Sequence, residues 1–192
     1  DLEILVSPYK PKVHAAMVTE LLKANRKASK AQVARNLKMA GLVAEKSIAR
    51  WPNHEASQTA HIKVLLAQGK TGEARAAAEV MIHKNQTAEA FLLLARAAGA
   101  DKGPRAAIAV LVRARRLFPG RADNTFALTH AYIKIKDFES AAKVVKELQT
   151  YADSTKMLVK THHLLAHIYR LSGDHHLSRH HAKQVQRLKQ KK

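Results

Sequence analysis

An internal period of 34 residues constrains this chain more than any other feature. Phe91, Leu94, Ala95 and Ala98 recur one period later as Thr125, Leu128, Thr129 and Tyr132. Ala107, Leu111, Ala114 and Pro119 recur as Ala141, Val145, Leu148 and Asp153. In each copy the first four positions share one face of a helix, and the next three share one face of a second helix before a turn. Downstream, His162, Leu165, Ala166, Tyr169, Gly173, Ser178, Ala182 and Val185 repeat the pattern after a three-residue slip. Upstream, Gln58, His61, Ile62, Leu65, Gly69, Ala74, Ala78 and Met81 repeat it with one residue deleted. Ala40, Ala44, Ser47 and Pro52 match a second helix only, behind an atypical first helix near Val13 to Asn25.

A single helical hairpin cannot bury its apolar face alone, so such units stack until a continuous core forms. Small residues such as Ala95, Ala107, Ala114 and Ala141 let helix backbones approach, and Leu and aromatic residues fill the spaces between. Turn signals fall at Gln68-Gly69-Lys70, Gly99 to Gly103, Lys136-Asp137 and Ser172-Gly173-Asp174. Pro52, Pro104 and Pro119 stand at helix starts or at joints between hairpins. Only 7 Gly and 5 Pro punctuate the 192 residues, too few for a sheet-rich fold with many tight turns.

On these residues, from about 21 to 190, the chain resembles the tetratricopeptide repeat family. The resemblance implies an all-α fold, a right-handed superhelix of antiparallel helix hairpins (an α-solenoid). Residues 1–54 would then hold N-terminal helices and a partial repeat. Residues 55–192 would hold four repeats, at about 55–87, 88–121, 122–155 and 159–190, ending in a basic C-terminal helix. The last two repeats also resemble the helical tails fused to some periplasmic zinc metallopeptidases, which implies a catalytic domain outside this chain.

The family lines its concave groove with the first helix of each hairpin. Carried onto this chain, the central row of that groove is Lys63, Arg96, His130 and His167, basic or titratable in all four repeats. Phe126, His163, Lys134 and Arg170 complete the candidate ligand groove. Arg96 and Arg170 suit bidentate capture of a carboxylate or phosphate, and histidines add charge below about pH 6.5. The Lys and Asn pairing of chaperone-tail receptors is absent. The implied function is a non-catalytic scaffold for an acidic peptide or protein.

Charge supplies a second reading. The chain has 34 basic and 15 acidic residues, a net charge of +19. That excess draws polyanions and makes association salt-sensitive. Nucleic acid or an anionic membrane, bound through the overall surface and the run from Gln184 to Lys192, is therefore an alternative partner. Aromatic residues make up only 5% and are not interleaved with basic ones, so base stacking gains little support.

Seven histidines crowd the last thirty-one residues. His163 with His167, and His176 with His180, have the four-residue spacing that can grip one metal ion on a helix face. Arg170, Arg179 and Lys183 beside them repel a cation, so surface polar roles are expected and no cofactor is assigned. No Cys is present, which removes disulfides, thiolate metal sites and cysteine nucleophiles. P-loop, GxGxxG, GxSxG and HExxH motifs are absent; His54-Glu55 opens like the last, but position 58 is Gln. No apolar run reaches the length of a membrane span. The chain begins at Asp1, the expectation for a processed product or a domain excised from a membrane-anchored or secreted parent. A cytoplasmic and a periplasmic setting fit equally, and oligomeric state is not readable.

Overall fold

The computed structural model describes residues 10–190. Residues 1–9, where the expected N-terminal segment starts, and residues 191–192, where the expected basic helix ends, lie outside the described residues. Among the described residues there are ten α-helices, one 3-10 turn and no strand. The helices are α1 (Pro11–Ala24), α2 (Lys30–Arg50), α3 (Glu55–Ala67), α4 (Thr71–Lys84), α5 (Ala88–Lys102), α6 (Pro104–Leu117), α7 (Ala122–Lys134), α8 (Phe138–Gln149), α9 (Thr155–Leu171) and α10 (His175–Gln190). None of them is long and apolar enough to cross a membrane.

The chain divides into two compact units, one up to Asp101 and one from Lys102. In the first unit α1 packs on α2 and α3, α2 on α3, and α3 on α4. Val18, Ala40, Val43, Ala44, Ala60 and Val64 form a buried cluster there, flanked by Ala15, Met17, Leu21 and Leu22. Three of those six buried residues are alanine, so the close approach of backbones rests on small side chains. In the second unit each helix from α6 to α10 packs on the next. Its core cluster is Ala141, Ala142, Val145, Leu165 and Ile168, with Tyr132, Ile133, Phe138, Leu164 and Tyr169 packed around it.

Four hairpin turns use the left-handed backbone region, at Gly69 (φ 76°), Gly103 (φ 86°), Lys136 (φ 61°) and Gly173 (φ 86°). At two of them the same bond closes the turn. Lys70 N–H donates to the Leu65 carbonyl, and Asp137 N–H donates to the Tyr132 carbonyl, each five residues back. Lys136 is the exception among glycines, and its Cβ makes this conformation unfavourable. Gly99 does not take part in a turn: α5 continues through Lys102, and Gly103 takes the left-handed conformation. Ala-rich sequence on both sides of Gly99 outweighs its low helix propensity.

Two joints between hairpins repeat one geometry. Trp51 and Phe118 end α2 and α6 with the same backbone angles, φ −132° and ψ 68°, each ahead of a proline. His54 N–H then donates to the Trp51 carbonyl, and Arg121 N–H to the Phe118 carbonyl. The proline pushes the preceding residue out of the helical region, which stops both helices at the same place.

Candidate functional site

Helix α9 carries 17 residues without one Asp or Glu. Its inward face is set by Thr161, Leu165 and Ile168, all buried. Its other face presents Lys156, Lys160, His163, His167 and Arg170, at steps of four, three, four and three residues. That spacing keeps all five on one side of the helix over roughly 21 Å. Four of the five are exposed and His167 is half-buried. Arg170 Nη2 lies 3.0 Å from His167 Nδ1. A guanidinium only donates, so Nδ1 of His167 is the acceptor.

On α7, Phe126, His130 and Lys134 follow one another at four-residue steps, Phe126 half-buried and the other two exposed. The packed face of α7 holds Asn124, Thr125, Leu128, Thr129 and Ala131. Asp123 in its first turn faces Arg121 at 3.8 Å. These three residues and the α9 stripe all lie in the second unit.

The other two groove candidates lie in the first unit. Lys63 on α3 is 3.6 Å from Glu89 on α5, so a carboxylate already offsets its charge. Arg96 on α5 is exposed. The uniformly basic row expected from sequence omits Glu89 as the neighbour of Lys63, and it omits Lys156 as the first member of the α9 stripe. The helical wheel of α9 is enough to find Lys156, whereas no local signal announces a partner 26 positions away.

The histidines come together in an unexpected way. Among the described residues no group of three or more His, Asp or Glu could hold a metal ion. His163, His176 and His180 are exposed. Instead His162 on α9 meets His181 on α10, with the two Nδ1 atoms 2.9 Å apart and ring centroids at 5.2 Å. One ring must donate and the other accept. His181 also stacks on Tyr169 at 5.6 Å and 3°, and His180 meets it edge-on at 5.2 Å. Lys146 of α8 sits 5.5 Å from the centre of the Tyr169 ring. Burial above all, then His162, His180 and Lys146, pushes His181 down to about 4. His162 is lowered too, by burial and then by His180. Burial and neighbours of like sign together hold the His162–His181 pair neutral near pH 7. The sequence pattern points to Ala182 for the inward position, yet Ala182 is exposed and His181 is buried. The inward stripe of α10 runs through His181 and Val185.

Two clefts open in the second unit. The larger, about 640 Å³, is lined by Phe138, Glu139, Ala142, Lys143, Lys146, Glu147, Tyr169 and Ser172. The smaller, about 200 Å³, lies beside Arg115, Arg116, Pro119 and Tyr151. Arg115 Nη1 donates to Glu147 there, tying α6 to α8.

No protein-family model matches the chain, and no curated protein matches it in sequence. Solved structures do match it in three dimensions. A thermophilic TPR protein of Thermus thermophilus is 14% identical, with 92% of this chain and 90% of that one covered and a TM-score of 0.66. The nearly identical TPR-like repeats of a Podosopora anserina putative kinesin light chain are 17% identical, covering 95% and 98%, with a TM-score of 0.68. MamA residues 41 to the end from Desulfovibrio magneticus RS-1 are 15% identical, covering 96% and 97%, with a TM-score of 0.64. At these identities the likeness shows the fold: this chain has the helical-hairpin fold of tetratricopeptide-repeat proteins.

Proposed function

We propose that the chain is a non-catalytic protein-binding scaffold whose first-helix faces grip acidic peptide segments. The observation that carries this reading is the α9 stripe of Lys156, Lys160, His163, His167 and Arg170, on a helix with no carboxylate of its own. A chain of carboxylates laid along it meets Lys156 and Lys160 toward one end and Arg170 at the other, with the two imidazoles between them. Arg170 supplies the planar fork for bidentate capture. Lys134 on α7 offers a further cation, with the His130 imidazole and the apolar Phe126 beside it on the same face. In the first unit Arg96 serves the same purpose, and Lys63 serves it more weakly because Glu89 competes for it.

The test is the affinity of the whole chain for a labelled oligoglutamate peptide, read by fluorescence anisotropy at low salt. Removing Lys160 and Arg170 together, as Lys160→Ala and Arg170→Ala, takes away two charge-assisted contacts and weakens binding by about tenfold or more. Lys63→Ala changes it much less. Helicity stays as it was, because all three side chains reach solvent. An unchanged affinity in the double variant would sink the assignment.

A further inference from the structure

The outer face of α10, like that of α9, carries cations on a helix with no carboxylate of its own. His181 and Val185 hold the helix down. The opposite arc exposes Arg179, Lys183 and Arg187 at four-residue steps, flanked by His176, Gln186 and Lys189. The helix has no Asp or Glu at any position. Asp174, just ahead of it, is occupied as a cap, its Oδ1 accepting the Leu177 N–H at 2.9 Å.

Like charges four residues apart repel and disfavour a free helix. A helix face that served only solubility would mix signs, as α4 does: there Arg75 meets Glu79 at 2.6 Å and Asp101 at 2.8 Å. Among the described residues no carboxylate lies within ion-pair distance of the three α10 cations. Their spacing of about 6 Å per step forms a ladder of point charges suited to successive phosphates of a backbone.

We infer that the outer face of α10 is a docking surface for the phosphodiester backbone of double-helical nucleic acid, bound without base readout. The only apolar side chain on the exposed arc is Ala182, so nothing there anchors into lipid as an interfacial helix requires. The arc has no aromatic residue to stack unpaired bases. Arginine, lysine and glutamine side chains are the groups that hold phosphate oxygens. This surface is separate from the α9 stripe, and either assignment can fail without the other.

The experiment follows the whole chain binding a labelled duplex of about 20 base pairs, titrated from about 50 to about 200 mM salt. The triple variant Arg179→Gln, Lys183→Gln, Arg187→Gln is expected to lower the salt slope by about 2–3 and to weaken binding at about 100 mM salt by tenfold or more. Its helicity, checked by circular dichroism, is unchanged or higher. The variant Lys38→Gln, Lys46→Gln on α2, whose surface also carries Glu45, is expected to change the slope by less than about 1. Lys160→Ala with Arg170→Ala is expected to keep duplex binding. The inference is overturned by absence of duplex binding at about 50 mM salt, or by an unaltered slope in the triple variant. Equal losses in the α2 and α10 variants would also overturn it. So would binding to phosphatidylserine vesicles, or to oligoglutamate alone, that depends on the α10 cations while the duplex does not bind.

Discussion

The unit up to Asp101 carries 15 basic and 9 acidic residues, and the unit from Lys102 carries 19 and 6. The same hairpin pattern thus supports two electrostatic regimes. In the first unit cations meet carboxylates: Lys23 with Glu20, Lys63 with Glu89, Lys70 with Glu73, and Arg75 with both Glu79 and Asp101. In the second, α9 and α10 have no carboxylate at all. Eight of the twelve histidines lie there. The contrast reaches the half-buried His61 and the buried His181. His61 in the first unit is lowered by burial, but Glu45 and Glu73 pull it back. The groups that act on His181, namely His162, His180 and Lys146, all push the same way. The lesson is that apolar periodicity holds the hairpins while leaving the outward charges free to diverge, because exposed ion pairs contribute little to stability.

The largest expected effect sharpens this difference through pH. His181 titrates at about 4 when folded and at the ordinary histidine value when unfolded. Between those values the unfolded chain binds more protons, so stability rises with pH and is lost as pH falls from about 6.5 toward 4. Allowing for solvent reaching part of the ring cluster, the loss amounts to about 1–2 kcal/mol. Denaturation with urea at pH 7 and pH 5 reads it. His181→Leu flattens the dependence, and His61→Leu flattens it less. Equal effects from the two would erase the contrast between the units.

A smaller effect sits in the turns. Lys136→Gly relieves a left-handed residue in the second unit and stabilises it by about 0.5–1 kcal/mol. Gly69→Ala imposes the same strain on the first unit, with the opposite sign. A Cβ there meets no atom within 4 Å, so only the backbone resists. Thermal melts of the two variants should move in opposite directions.

The smallest effect tests charge itself. Lys183→Glu places a carboxylate between Arg179 and Arg187 and stabilises α10 by about 0.5 kcal/mol at low salt. Arg75→Gln, which removes a paired cation from the first unit, lowers stability slightly and less so as salt is added. If both substitutions shifted the melting temperature the same way, the two regimes would not be distinct.

By itself the sequence determined the hairpin architecture. The period of 34, the buried small-and-large alternation from Phe91 to Leu148, and the glycines at 69, 103 and 173 are local signals. Backbone preference and helical periodicity act over a few residues, so they can be read along the chain. It also named the cations of the candidate face apart from Lys156. Tertiary structure decided which of them are neutralised, since Glu89 reaches Lys63 only once α3 and α5 are folded. It also decided that His162 and His181, nineteen positions apart, share a hydrogen bond. Those outcomes depend on how each helix is rotated about its axis against its neighbour. A shift of one position, from Ala182 to His181, is about 100° of that rotation, and only the packed core selects it.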